Sequence, residues 1–230
     1  ITQSPEQIFL YNDREPAGNE WWERCKEYCT VIKTTVPLYV NGKRIPYKQH
    51  QADLMRINIL NTVGGIYADL DLLFLQPIDC TLKYEEKGPC DIYENFTAMC
   101  RESPDKLCNC LIVSRKNNPF LKQWIEQYET LYGNHSDYWG GLSVVTPNRL
   151  AEQNRELISV LEKKMFLPFL YNDFRFFFSD ISDSLSESFG VHLWETEANK
   201  RGLIPENVDY FKTNNNTFTK LFRKYLFTDT

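Results

Sequence analysis

The stretch Gly64-Gly65-Ile66-Tyr67-Ala68-Asp69-Leu70-Asp71, continuing through Leu72-Leu73-Phe74-Leu75 to Gln76-Pro77, constrains this chain more than any other. So long an apolar run reads as a strand in a sheet interior. Yet two carboxylates, Asp69 and Asp71, stand inside it. Side chains alternate along a strand, so Tyr67, Asp69 and Asp71 share one side. A buried carboxylate pair is costly unless it is partnered or holds a cation, and no Lys or Arg lies within the neighbouring six residues on either side. The reading is a hard divalent ion at the carboxyl end of the strand. For an isolated Asp-x-Asp an exposed acidic turn is the commoner explanation, so the upstream segment has to decide.

That segment, Gln51 to Val63, contains no Gly or Pro and reads as a helix. At about 100° per residue, Asp53, Arg56 and Leu60 fall on one stripe within about 60°. Gly64 stops the helix as a left-handed cap. The unit is helix, double glycine, strand, acid pair.

Ala52-Asp53-x-x-Arg56 followed by Gly64-Gly65-Ile66-Tyr67-x-Asp69-x-Asp71 resembles the sugar-binding region of the DXD-containing glycosyltransferases. That family includes yeast-type outer-chain mannosyltransferases, α-1,4-galactosyltransferases and the glucosylating domains of clostridial toxins. The resemblance implies a single α/β domain over residues 1–230 with the nucleotide-sugar transferase (GT-A) fold, a mixed, mostly parallel sheet flanked by helices. It implies transfer of a hexose from a nucleotide sugar, UDP-sugar favoured, to a glycan or other hydroxyl acceptor, with retention of configuration and with Mn²⁺ or Mg²⁺ as cofactor. Carried onto this sequence, Asp69, Asp71 and Arg56 are the catalytic candidates. Asp53, Arg56, Tyr67 and Asp69 contact the donor, Asn109 the acceptor side, and Gly141 lets the backbone approach the substrate closely. His192, in Gly190-Val191-His192-Leu193-Trp194, joins Asp69 and Asp71 as a metal ligand. Imidazole suits Mn²⁺ better than Mg²⁺. Without the resemblance, a lone strand histidine reads more often as a hydrogen-bonded core residue. The family carries one more strand before Ile8. It is not found here, so an N-terminal strand is expected to be missing.

The net charge of −5 and pI near 5.4 argue against a nucleic-acid partner, which needs a basic face. No stretch reaches the 18 or so apolar residues of a membrane span. Seven cysteines is an odd number, so one thiol at least is outside any intrachain disulfide. Cys100, Cys108 and Cys110 cluster, but no His stands near them in sequence, and structural zinc is not expected. Sequons at Asn95, Asn134 and Asn215 lean toward a secretory lumen, and the cytoplasm stays open.

Strands are expected over 8–11, 30–36, 91–99 and 109–113. Helices are expected from Asn19, from Asn118-Pro119 to Leu131, from Pro147 to about Lys164, and over 217–227, the last with Lys220, Arg223 and Lys224 on a basic outer face. Ser179 to Ser188 reads as a loop or lid. Two other functions compete. A phosphatase of the haloacid dehalogenase type also uses Asp-x-Asp, but Leu73 stands where such enzymes place Thr or Val. A non-catalytic descendant that binds a glycan or nucleotide sugar is the second.

Overall fold

The computed structural model describes residues 5–78, 96–133, 140–205 and 207–227. The sequons at Asn95 and Asn134 and the first part of the 91–99 strand lie outside the described residues.

Strand β1 (Phe9–Asn12) pairs in parallel with β2 (Thr30–Lys33) across helix α1 (Glu20–Cys25). Asn19 caps α1, its side chain accepting from the amides of Trp21 and Trp22. Trp22 is buried as the anchor of this helix, and Trp21 is left exposed under Arg24. A hairpin follows, β3 (Tyr39–Val40) and β4 (Lys43–Arg44), turned by Asn41 and Gly42 with φ of 48° and 72°. Two positive-φ residues are what a two-residue hairpin loop demands. Helix α2 (Lys48–Val63) then leads into β5 (Gly65–Ala68) and β6 (Leu72–Phe74).

The expected strand over 64–75 is therefore two strands, broken at the acids. The amide of Asp69 still bonds the Cys110 carbonyl, and the chain then turns, with the Leu72 amide returning to the Asp69 carbonyl. Leu70 stands 91% exposed at the tip. Placing two carboxylates on a turn at the strand end lets water reach them, a cheaper solution than burying both mid-strand.

Strands β7 (Thr97–Ser103), β8 (Lys106–Ser114) and β9 (Ser159–Leu161) complete the main sheet in the order β5-β8-β7-β9. The β5–β8 and β7–β8 pairings are antiparallel and only β7–β9 is parallel. This corrects the expected mostly parallel sheet: the fold is α/β with a mixed sheet. Alternation divides the core. Met99, Leu107 and Ile112 face α2 and α3 (Pro119–Leu131), among Ile57, Leu60, Trp124 and Tyr128. Ala98, Cys100, Cys108 and Cys110 face the opposite way, against Leu72 and Phe166. Helix α3 has the bounds its Asn118-Pro119 start predicts, with Asn118 capping the amides of Phe120 and Leu121.

Past α3 a wide turn, Gly141–Val145, runs into α4 (Thr146–Gln153). The helix expected to continue to Lys164 ends at Gln153, because the chain must reach β9 to finish the sheet; a short α5 (Lys163–Phe166) follows it. The 179–188 segment, expected as a loop or lid, is pinned to the body at several points. Leu185 is buried, Ile181 donates to the Thr217 hydroxyl, and Ser188 to the Lys164 carbonyl. Strand β10 (Gly190–His192) pairs antiparallel with β6, and α6 (Glu195–Lys200), α7 (Asp209–Thr213) and α8 (Thr217–Leu226) close an aromatic cluster around Phe176, Phe177 and Phe218. Arg223 is not on a free basic face: its guanidinium donates to the carbonyls of Phe211 and Asn214.

Gly64 ends α2 with φ 74° and ψ −175°, positive φ but not the left-handed helical cap expected. A Cβ there would sit 2.8 Å from the Lys116 amide, whereas at Gly65 (φ 109°) it would meet nothing within 4 Å. Gly64→Ala should cost about 1–3 kcal/mol from strain alone and more from the clash, while Gly65→Ala should show the strain only. Urea unfolding of both variants checks the order.

Candidate functional site

Two hydrogen-bonded networks meet at the turn between β5 and β6. The first is built on the buried face of α2. Asp53 and Arg56, one helical turn apart, are both under a tenth exposed, and Arg56 Nη2 lies 3.3 Å from Asp53 Oδ1. The guanidinium also reaches Asp69 Oδ1 at 3.1 Å and donates to the Asn109 carbonyl at 2.8 Å. It lies over the Tyr67 ring, 4.5 Å from the centroid. Asn109 Nδ2 donates to Asp53 Oδ1 at 2.8 Å, and the Tyr67 hydroxyl donates to Asp69 Oδ1 at 2.5 Å.

Burial opposes ionisation of Arg56, but Asp69, Tyr67 and Asp53 outweigh it and hold the charge firmly. Burial also pushes the Asp53 carboxyl up, against the pull of Arg56 and Asn109. It pushes the Tyr67 hydroxyl well up too, so Tyr67 is a permanent donor to Asp69. Asp69 Oδ1 is thus fully occupied, which leaves Oδ2 turned toward His192 at 3.9 Å.

The second network centres on Asp71. The β6–β10 register sets His192 opposite Leu72, and the Leu193 amide bonds the Asp71 carbonyl at 2.9 Å. His192 Nε2 then lies 3.1 Å from Asp71 Oδ1. Trp194 takes a left-handed conformation, φ 52° and ψ 45°, rare for a bulky residue. That reversal brings the Glu195 amide to 2.9 Å from Asp71 Oδ2. Trp194 is fixed by its indole N–H to the Phe169 carbonyl at 3.0 Å, and its ring packs on His192 at 4.2 Å.

Burial pushes the Asp71 carboxyl up, but the His192 hydrogen bond and charge and the Glu195 amide prevail, holding it below the usual range. For His192 burial works against the charge, while Asp71 and Cys108 raise its pKa to about 10. The pair is an ion pair at neutral pH.

Asp69, Asp71 and His192 each present a donor atom within 4.8 Å of the other two. The separations of 3.1 and 3.9 Å from His192 Nε2 suit a divalent ion, since adjacent ligands about 2.1 Å from a metal sit about 3 Å apart. Two carboxylates and an imidazole, a quarter exposed on the acid side, are the donor set of a hard-to-borderline cation. Among the predicted residues Asp53, Arg56, Tyr67, Asp69 and Asn109 form one network, and Asp69, Asp71 and His192 the next. Gly141 is engaged elsewhere: its buried carbonyl takes the Thr146 hydroxyl at 2.9 Å, and the neighbouring Leu142 carbonyl takes the Trp124 indole at 2.6 Å.

Sequence reasoning set two of the neighbouring side chains aside for want of a local histidine and missed a third, Glu102. Cys108 and Cys110 also lie against His192, with donor atoms within 4.8 Å of one another and of a ring nitrogen. The Cys110 thiol and His192 overcome burial to hold Cys108 down at about 6, and Cys110 is correspondingly pushed well up. Glu102, at a bulge of β7, is raised by burial to about 7 and feels the charges of both Cys108 and His192. The Cys-x-Cys spacing on a strand was the available signal. The histidine comes from β10, far along the chain, which is why a local scan finds none.

With this geometry in hand, the comparisons with known proteins fall into place. Residues 4–87 match the family profile described as glycosyltransferase sugar-binding region containing DXD motif, and residues 113–216 match the alpha 1,4-glycosyltransferase conserved region. Over these two segments the chain is similar to DXD-bearing glycosyltransferases. Glucan organizing enzyme 1 of Cryptococcus neoformans var. grubii is 30% identical over 98% of this chain and 61% of its own length. O-glycosyltransferase braB of Annulohypoxylon truncatum is 29% identical over 54% of this chain and 32% of its own length. This chain therefore spans at most about six-tenths of these relatives. The solved PaToxG glycosyltransferase is 20% identical over 47% of this chain and 35% of its own, with a TM-score of 0.37, too loose a likeness to bear on the fold. Among the described residues no helix is long and apolar enough to cross a membrane.

The charged pair makes stability depend on pH in the metal-free protein. His192 has its folded pKa raised, so its contribution is whole below its unfolded value of about 6.5 and is lost as pH climbs toward about 10. Asp71 is lowered, so its contribution is lost as pH falls below the ordinary carboxylate range near 4. The advantage of wild type over His192→Gln in urea should be largest between about pH 4 and 6.5 and shrink steadily to pH 10; a constant difference would exclude the pair. Removing Arg56 leaves Asp53 buried without its counter-charge, so Arg56→Ala should cost about 3–5 kcal/mol by the same measurement.

Proposed function

We propose that this chain is the catalytic domain of a metal-dependent glycosyltransferase. It moves a hexose from a nucleoside-diphosphate sugar, UDP favoured, to a hydroxyl of a glycan or other acceptor, with retention of configuration. The observation that carries the reading is the convergence of Asp69, Asp71 and His192 on one point beside a fully ordered α2 network. A polysaccharide is the first acceptor class to try, since one relative is named for organising glucan.

Asp71, Asp69 Oδ2 and His192 Nε2 would hold Mn²⁺, which supplies Lewis-acid stabilisation of the departing diphosphate. The protein's own residues do the rest. Arg56 is a positioning residue: with Tyr67 it saturates Asp69 Oδ1 and aims Oδ2 at the shared point. Asp53 and Asn109 lock Arg56 in turn. The Glu195 amide and the Trp194 turn orient Asp71. His192 must give up its proton to coordinate, so each metal bound at neutral pH releases one proton. The exposed Leu70 tip lies at the water side, where donor and acceptor enter.

Nucleotide sugars screened for Mn²⁺-dependent hydrolysis should yield at least one donor. Asp71→Asn should lower that turnover about 100-fold or more while circular dichroism stays native. A nucleoside diphosphate with Mn²⁺ should raise the melting temperature by more than the two separate shifts combined, because each completes the other's site. Undiminished Mn²⁺-dependent turnover in Asp71→Asn would sink the assignment. Coupled binding without turnover on any donor would identify a non-catalytic sugar-binding protein instead.

A further inference from the structure

We propose a second metal site, thiophilic where the first is hard, formed by Cys108, Cys110 and His192 behind the acid pair and suited to Zn²⁺. Both thiols project from the same face of β8 toward β10, as residues two apart on a strand must. The two sulfurs and a ring nitrogen of His192 all lie within 4.8 Å of one another, and the three residues are exposed by 7% at most. Tetrahedral zinc, with bonds of about 2.3 Å to sulfur and 2.0–2.1 Å to nitrogen, needs its donors under about 4 Å apart. Closing that gap takes a shift of about 1 Å, within the reach of side-chain rotation.

The histidine supplies an independent observation. Nε2 faces Asp71, while Nδ1 is buried without a partner at hydrogen-bond geometry and the ring interacts with the Cys108 thiol. A buried polar atom left unsatisfied is uncommon and asks for a missing partner. Metal-bound histidines ordinarily carry a carboxylate on the ring nitrogen opposite the metal, and Asp71 already occupies that position relative to Nδ1. The nearby third thiol offers a contrast. Cys100, directly across the sheet from Cys108, points its sulfur at the Glu162 carbonyl at 3.3 Å and is satisfied there. The fourth position is open to water. Binding displaces the thiol protons to solvent and changes no oxidation state.

This site shares His192 with the proposed transferase metal, so one neutral ring serves one ion at a time; the test below reads the thiols without Mn²⁺ and can fail while the transferase reading stands. The test uses reduced, chelator-treated protein carrying Cys25→Ser and Cys29→Ser, which removes the two thiols of the N-terminal region from competition. One equivalent of Co²⁺ should produce a thiolate-to-cobalt charge-transfer band, and Zn²⁺ should abolish it by displacement. Cys108→Ser and Cys110→Ser should each remove the band, while Asp71→Asn should retain it. Should the serine variants fail to fold, X-ray absorption at the zinc edge on the Cys25→Ser, Cys29→Ser protein decides alone. Two sulfurs at about 2.3 Å are expected. No charge-transfer band, a band that survives both serine substitutions, or a zinc shell of nitrogen and oxygen only would overturn the proposal.

Discussion

The buried guanidinium of Arg56 is the contact on which the rest of this site depends. It neutralises Asp53 on its own helix, binds Asp69 on the strand-end turn, and takes the carbonyl of Asn109 on the central strand β8. Helix, edge strand and central strand are thereby fixed to one another by charge-assisted bonds, which are stronger and more directional than apolar packing. A buried ion pair is not by itself a source of stability, since desolvation offsets much of the attraction. What it supplies here is position: one oxygen of Asp69 is saturated and the other is aimed.

The other half of the site is positioned by backbone pairing. A three-residue match of β6 with β10 places His192 beside the acid turn, and the left-handed turn at Trp194 returns the Glu195 amide to Asp71. The close approach this needs is possible because position 190 is glycine. A Cβ there would lie 3.0 Å from the Phe166 ring and 3.1 Å from the Leu73 carbonyl. Strained backbone and an absent side chain both serve the same end, bringing three donor atoms together at the carboxyl edge of the sheet. Carboxylates and thiols both come within reach of that single ring, which joins oxygen-rich and sulfur-rich surroundings.

The glycosyltransferase activity we propose would give these contacts a common purpose. In that activity the transferred group would leave a diphosphate behind, and the developing charge would call for a cation held by residues that do not move. Arg56 and Tyr67 fix one oxygen of Asp69, and His192 and the Glu195 amide fix both oxygens of Asp71, so the acids are held in place without a metal. The mixed sheet matters less for chemistry than its free end, where β5 and β6 part and leave the acids at water.

Much of this was legible in the amino-acid order. The i to i+3 spacing of Asp53 and Arg56 put them on one helical stripe, Gly64 ended the helix, and Asn118-Pro119 began the next one, because helix geometry and capping are local. The association of Asp69, Asp71 and His192 was readable only through resemblance to a family. Three things belonged to the tertiary structure alone. The apolar run over 64–75 could not announce its own break, since hydropathy reports burial and not the cost of sinking two charges mid-strand. The direction of the sheet followed from β8 running antiparallel to both its neighbours, which no single segment encodes. Finally, Cys108 and Cys110 met their histidine only because β10 folds back on β6: sequence fixes which donors exist, and chain return decides which of them share a point in space.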